Sequence, residues 1–202
     1  MENIVSFVRI PKNASTTIYQ VLGVANTIRD GELTRFFQGN HLRYKGIFAP
    51  SHCSYVEAVR ELGTVVSDVP SFAVIRNPYD RMVSMFCFAK KHQLFGLYGS
   101  SELSFVEFAR AICARHEEDP HFFHAFPQSF YIDGVQTLLP FETLVSAFQD
   151  FLRANGIMGV SPRLPQLNST SHGHYSDFYN EECRLLVESV WGEDIERFGY
   201  SF

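Results

Sequence analysis

The chain has 202 residues, 46% of them hydrophobic and twenty of them Phe, so it can bury one sizeable core and is expected to form a single domain over residues 1–202. The formal net charge of −5 at pH 7 argues against a nucleic-acid partner, which would need a basic surface. The first apolar run is too short for a signal peptide or a membrane span, and the four Cys residues form no C-x-x-C pair. These features predict a soluble, cytoplasmic protein with reduced thiols and no membrane partner.

The beginning of the chain predicts an anion-binding loop. An apolar run from Ile4 to Ile10 predicts a strand, and an apolar helix-like segment follows from Ile18 to Leu22. The loop between them carries one cation and three hydroxyls: Lys12, Ser15, Thr16 and Thr17. Unpaired N–H groups and the positive end of the dipole favour an anion at the start of a helix, so this loop is expected to bind a phosphate.

This loop differs from the usual nucleotide-binding loop. A Walker A sequence has glycines that let the main chain wrap the phosphates, and its Lys stands directly before the hydroxyl. Here no Gly lies between Met1 and Leu22, and Lys12 precedes the first hydroxyl by three residues. The pattern argues against binding of the terminal phosphates of ATP, and an ordinary strand-turn-helix capped by Ser or Thr stays an alternative.

A histidine follows the next strand-like segment, Gly46 to Ala49. His52 stands before a predicted helix from Tyr55 to Leu62, and is expected in a loop at the same edge of the sheet as the first loop. Imidazole titrates near neutral pH, as a general base requires. A loop histidine that caps a helix is the alternative.

A second anion site is predicted around Arg76. Ser71 to Ile75 is typical of a buried strand, and an Asn-Pro pair after Arg76 opens a helix from Tyr79 to Lys90. Asp80 and Ser84 are four residues apart and share one face of that helix. The long, forked guanidinium of Arg76 and the hydroxyl of Ser84 could therefore hold one anion from two sides. In the alternative interpretation Arg76 pairs with Asp80, and Ser84 is an ordinary helix serine.

The rest of the chain alternates helices and strands, as in an α/β protein. A capping box predicts a helix from Ser104 to about Arg115, and a strand is expected from Val135 to Leu139. Helices are expected from Phe141 to Asn155 and from Asn180 to Val190.

Taken together, the two anion-binding stretches resemble sulfotransferases that use 3′-phosphoadenosine 5′-phosphosulfate (PAPS). The first loop of that family reads P-K-x-x-[ST]-[ST]-[ST], which is similar to PKNASTT at residues 11–17. The family's second motif, R-[DN]-P-x-[DE]-R-x-x-S, is similar to RNPYDRMVS at residues 76–84. Residues 164–170 and 194–200 resemble the end of the carbohydrate branch, which includes uronyl and chondroitin sulfotransferases.

The resemblance implies a single-domain, three-layer α/β sandwich with a central parallel sheet, related to the P-loop NTPases. It implies sulfuryl transfer from PAPS to a hydroxyl acceptor, a carbohydrate, with adenosine 3′,5′-bisphosphate as the product and no metal. The implied cofactor-binding residues are Lys12, Asn13, Ala14, Ser15, Thr16 and Thr17 for the 5′-phosphosulfate, Arg76 and Ser84 for the 3′-phosphate, and Asn168, Ser169 and Thr170 in a closing loop.

The resemblance also implies the catalytic roles. Lys12 would neutralise the charge that builds on the leaving phosphate, and His52, which matches a histidine of uronyl sulfotransferases, would take the proton of the acceptor. Gln128 could contact a sugar hydroxyl or be an ordinary turn residue, and Arg43 and Lys45 could attract an acidic sugar. Two alternatives stay open: a kinase-like phosphoryl transferase of the P-loop type, and a non-catalytic module that binds a nucleotide or glycan.

Overall fold

The computed structural model of the protein describes residues 5–27, 41–44, 47–50, 52–118, 122–157, 164 and 173–202. Its strands are β1 (Ser6–Val8), β2 (His41–Tyr44), β3 (Ile47–Pro50), β4 (Ser71–Ile75) and β5 (Thr137–Pro140). Its α-helices are α1 (Ser15–Thr27), α2 (Tyr55–Leu62), α3 (Thr64–Ser67), α4 (Pro78–Lys91), α5 (Phe105–Glu118), α6 (Leu144–Ala154) and α7 (Glu181–Phe198). The chain forms two compact units, one from Met1–Ile75 and Phe130–Asn168, the other from Arg76–Ser129 and Ser169–Phe202.

A three-stranded parallel sheet lies at the centre of the first unit. β4 is the middle strand and pairs in parallel with β1 on one side and with β5 on the other. Every residue of Ser71–Ile75 is buried, as expected for the middle strand of a parallel sheet. The structure confirms the predicted α/β class, and the strand predicted from Ser71 to Ile75 has the predicted bounds. Parallel pairing brings the carboxyl ends of the three strands to one edge.

Helices α1 and α6 pack on one face of this sheet. Phe7 lies opposite Phe72 in the strand register, and their rings stack with centroids 4.8 Å apart. The Phe151 ring of α6 lies 4.5 Å from the Phe72 ring, and Ile18 and Leu22 of α1 are buried in the same cluster. Their spacing of four puts Ile18 and Leu22 on one face of α1. The core thereby fixes the sheet edge from which the loops depart.

The pairing of β3 corrects one prediction. A strand does form near the predicted Gly46–Ala49, but it pairs antiparallel with β2 in a separate two-stranded sheet. β3 thus belongs to that separate sheet and not to the parallel sheet, so the expectation that the strand before His52 ends at the edge of the parallel sheet is wrong. The physical reason is local: β2 and β3 are separated by two residues, and antiparallel pairing of neighbours needs only a short connection.

The second unit has a helical core built on aromatic side chains. Tyr79, Phe86, Phe108 and Trp191, from α4, α5 and α7, are buried in one cluster. The predicted capping box at the start of α5 is confirmed, because the Ser104 main-chain N–H donates to Glu107 over 2.8 Å and the Glu107 N–H donates to the Ser104 hydroxyl over 3.3 Å.

Helix α7 is longer than predicted. The sequence predicts an end at Val190, and the structure has a kink at the next residue, Trp191, with φ −117° and ψ 23°. A second helical stretch continues beyond the kink to Phe198. A fully buried indole at the kink explains why the break does not end the helix, since packing overrides the local signal.

Within the described ranges, no helix combines the length and the apolar character that a membrane crossing needs. All four cysteines, Cys53, Cys87, Cys113 and Cys183, are described, and none of them forms a disulfide.

Candidate active site

The loop after β1 has an unusual main chain. Lys12 and Ala14 have φ angles of 68° and 56°, in the left-handed region that side chains other than Gly rarely adopt. This conformation costs about 1–2 kcal/mol per residue, so the rest of the loop must impose it. Left-handed residues alternating with ordinary ones gather main-chain N–H groups into a concave, anion-binding surface. The strain therefore lies where the sequence predicts a phosphate.

Two buried polar side chains hold this loop. The Ser15 hydroxyl donates to the Ile10 carbonyl over 2.7 Å and closes the loop at its base. Asn13 is 1% exposed, and its Nδ2 donates to the carbonyl of Val74, in β4, over 2.7 Å. Asn13 and Ser15 thus bind the main chain of their own unit and fix the shape of the loop around Lys12.

Helix α1 begins directly after the loop. Its first intrahelical bond runs from the Ile18 N–H to the Ala14 carbonyl over 3.1 Å, which leaves the earlier N–H groups of the first turn outside the helical ladder. The first turn contains no acidic residue that would compete with an anion. Thr16 is exposed there, whereas Thr17 is buried.

His52 reaches the end of β1 by a hydrogen bond. Its Nδ1 lies 2.9 Å from the carbonyl oxygen of Arg9, the residue directly after β1. A carbonyl only accepts, so Nδ1 carries the hydrogen, and the lone pair of the neutral ring is on Nε2. His52 also has a positive φ of 60°, like the two residues of the first loop. The ring is held in the tautomer that a general base needs.

The helix-capping alternative for His52 is wrong. The cap of α2 is Ser54, whose hydroxyl accepts from the Glu57 N–H over 3.2 Å while the Glu57 carboxylate accepts from the Ser54 N–H over 2.7 Å. This reciprocal pair is a complete capping box, so the start of α2 does not need the imidazole.

Arg76 follows β4 and is 6% exposed. Its Nε donates to the Asp80 carboxylate over 2.7 Å, so the ion pair of the alternative interpretation is present. This bond uses one of the five N–H donors of a guanidinium and fixes the direction of the side chain. Ser84 is buried one turn beyond Asp80 in α4, and Asn77 caps that helix by accepting from the Tyr79 N–H over 2.9 Å.

Gln128 has a different task from the predicted sugar contact. Its side chain is fully buried, its Oε1 accepts from the Arg76 N–H over 2.9 Å, and its Nε2 donates to the Arg76 carbonyl over 2.9 Å. Both polar atoms of the amide bind the main chain of Arg76. The prediction that Gln128 contacts the acceptor is therefore corrected. Sequence reasoning missed this contact because 52 residues separate the partners.

Some predicted residues lie outside the described part of the chain. They are Lys45, Asn168, Ser169 and Thr170, and for Arg43, in β2, the main chain alone is described. Among the described residues, no group of three or more His, Cys, Asp or Glu side chains could hold a metal ion.

A family model extends this picture to almost the whole chain. The Sulfotransferase family matches residues 2–201, a range that includes the Lys12 loop, His52 and the Arg76 motif. The chain belongs to the sulfotransferase family. The resemblance stated from the two motifs is therefore confirmed, and as a sulfotransferase the protein transfers a sulfuryl group. No curated protein and no solved structure shows a significant match to it.

Proposed function

We propose that this sulfotransferase moves the sulfuryl group of PAPS to a hydroxyl of a carbohydrate and releases adenosine 3′,5′-bisphosphate. The observation that carries the proposal is a pair of elements with the features of anion sites: the left-handed loop around Lys12 after β1, and the buried Arg76 after β4. A donor with anionic groups at both its 5′ and 3′ positions needs two such elements.

The loop around Lys12 would bind the reacting end of the donor. As the bond between sulfur and the 5′-phosphate oxygen breaks, negative charge builds on that oxygen. The Lys12 ammonium and the N–H groups at the start of α1 are fixed before the reaction and would stabilise this charge. Lys12 is therefore expected to contribute more to the rate of transfer than to the affinity for the cofactor.

His52 would activate the acceptor. The acceptor oxygen attacks sulfur in line, the bond from sulfur to the phosphate oxygen breaks, and the hydroxyl proton passes to Nε2 of His52. The bond from Nδ1 to the Arg9 carbonyl supports the imidazolium that results, because it is donated by both forms of the ring.

Arg76 and Ser84 would bind the 3′-phosphate. A guanidinium and a phosphate form charge-assisted, often bidentate hydrogen bonds, and Asp80 fixes the Arg76 side chain through Nε. Ser84 would add a hydroxyl donor from α4. Neither residue takes part in the chemical step in this assignment.

The carbohydrate acceptor rests on the likeness of residues 164–170 and 194–200 to carbohydrate sulfotransferases. Arg43 and Lys45 add two cations just before β3, and a local positive field concentrates acidic substrates. An acidic sugar is therefore the proposed acceptor class, with Asn168, Ser169 and Thr170 proposed to close over the nucleotide.

Calorimetry followed by a transfer assay tests the proposal. Adenosine 3′,5′-bisphosphate should bind without Mg²⁺ and more tightly than Mg-ATP; a clear preference for Mg-ATP would instead favour the kinase-like alternative. Sulfate-labelled PAPS is then offered with acidic glycans, neutral glycans, phenols and small alcohols. Label on acidic glycans is the expected result, and nucleotide binding without transfer to any acceptor would favour the non-catalytic module.

A further inference from the structure

We propose that Gln128 is a positioning residue that sets the preference of the protein for a 3′-phosphorylated nucleotide, and that Asp194 holds Gln128 in place for this task. The inference rests on the proposed function, in which Arg76 binds the 3′-phosphate. In this inference, two buried side chains that are distant in the sequence set the orientation of the Arg76 guanidinium.

The main chain of Arg76 needs an external partner. Arg76 stands between the last residue of β4 and the cap of α4, so its N–H and carbonyl lie outside both regular elements. Leaving a buried polar group without a partner costs about 1–3 kcal/mol. Gln128 supplies a donor and an acceptor to the same residue, at 2.9 Å each. A carboxamide can donate and accept at the same time without carrying a charge.

These bonds fix Arg76 at one end, and Asp80 fixes it at the other. The main chain is held by Gln128, and Nε is held by the Asp80 carboxylate at 2.7 Å. An arginine whose main chain and Nε are both held loses little further conformational freedom when its guanidinium binds a phosphate. Such pre-organisation raises affinity. Without the Gln128 side chain, the guanidinium of Arg76 would still be present, but its orientation would no longer be fixed.

Asp194 supports Gln128 from α7. Its carboxylate is fully buried and accepts from the main-chain N–H groups of Gln128 and Ser129, over 2.5 and 2.8 Å. The same helix holds the preceding segment, because Trp191 Nε1 donates to the Ala125 carbonyl over 2.8 Å. The segment that carries Gln128 is therefore fixed before any ligand binds.

A second glutamine offers a matched control. Gln136 Oε1 accepts from the main-chain N–H of Ser71, at the opposite end of β4, over 3.1 Å. Like Gln128, it links a glutamine side chain to main chain across a long sequence separation, but it does so at the amino end of β4.

The test compares Gln128→Met with Gln136→Met. Calorimetry measures the affinities for adenosine 3′,5′-bisphosphate and adenosine 5′-phosphate, and their ratio is the 3′ preference. Gln128→Met should lower this ratio about tenfold, by analogy with the lower end of the loss seen when a residue that orients a metal ligand is removed. Gln136→Met should change it by less than about twofold. A general loss of stability would weaken both nucleotides alike and leave the ratio unchanged.

A pH profile of Gln128→Glu keeps the inference testable if the Met variant does not fold. The ionised carboxyl cannot donate to the Arg76 carbonyl, whereas the protonated carboxyl both donates and accepts. The 3′ preference of this variant, divided by that of the wild type at the same pH, should therefore rise as pH falls. Asp194→Asn, which removes one acceptor from Gln128 and Ser129, should lower the 3′ preference as well.

The outcomes separate this inference from the proposed function. If Arg76→Ala abolishes the 3′ preference while Gln128→Met keeps it, Gln128 does not position Arg76 and the proposed function stands. The same conclusion follows if the 3′ preference of Gln128→Glu, divided by that of the wild type, does not change with pH. If the wild type shows no 3′ preference that depends on Arg76, the binding assignment of Arg76 and this inference both fail.

Discussion

The loop after β1 and the turn after β4 are both assigned to anions, yet they are built in different ways. In the first, the main chain itself is left-handed at Lys12 and Ala14, and the Asn13 and Ser15 side chains hold it in that shape. The second has no left-handed residue, and there the side chains fix a single cation, with Gln128 bound to the main chain of Arg76 and Asp80 bound to its guanidinium. The difference matches the proposed division of work. Fixed main-chain dipoles suit a group whose charge changes during reaction, and a single aimed cation suits a group that only binds.

The largest expected effect comes from His52, which is tied to the β1 side through the Arg9 carbonyl. His52→Ala should lower kcat about 10²–10⁴-fold because the acceptor loses its base, with nucleotide affinity nearly unchanged. Steady-state transfer rates and calorimetry with adenosine 3′,5′-bisphosphate measure the two quantities. His92→Ala, at the exposed C-terminal end of α4, is the control. Activity of His52→Ala within a few-fold of the wild type would remove it from the mechanism.

Lys12 should show the next largest effect. Lys12→Ala is expected to lower kcat about 10²–10³-fold, since it removes stabilisation that is strongest as the leaving phosphate gains charge. The affinity for adenosine 3′,5′-bisphosphate should fall much less. The exposed Lys90, near the end of α4, provides the matched control as Lys90→Ala. Equal losses in rate and in affinity would make Lys12 an ordinary binding residue, and the contrast between the two elements would disappear.

Arg76 should show the reverse pattern. Arg76→Ala is expected to weaken adenosine 3′,5′-bisphosphate about 10–150-fold, the range for a charged hydrogen bond, and to change adenosine 5′-phosphate little. Calorimetry with both nucleotides measures this difference. Arg110→Ala is the control, because Arg110 forms an exposed ion pair with Glu182. Equal weakening of both nucleotides would contradict the assignment to the 3′ position.

The same two elements show what the sequence can and cannot predict. The strand before Arg76 and the Asn-Pro start of α4 carry local signals, and both were predicted to within a residue or two. The left-handed main chain of Ala14 has no such signal, because a positive φ is ordinarily announced by Gly, Asn or Asp. The bonds of Gln128 to Arg76 span 52 residues and depend on packing of the second unit. Local chemistry could be predicted from the sequence, whereas long-range bonds and main-chain strain arise only in the folded chain.

The smallest effect tests the strain itself. Ala14→Gly removes the Cβ that makes a φ of 56° costly, a gain of about 1–2 kcal/mol, and gives the unfolded chain extra freedom worth about 0.4–1 kcal/mol. The free energy of unfolding should therefore stay the same or rise by up to about 1.6 kcal/mol when measured by urea denaturation. Ala14→Val should lower it, because β-branched residues resist this conformation most.

A glycine substitution in a regular helix gives the opposite sign. Ala114 is exposed in the middle of α5, and Ala114→Gly should lower the free energy of unfolding by about 1 kcal/mol, the ordinary helix penalty for glycine. If Ala14→Gly and Ala114→Gly lose equal stability, Ala14 has ordinary main chain in solution. The loop after β1 would then be an ordinary start of a helix, and the anion site assigned to it would depend on Lys12 and the hydroxyls alone.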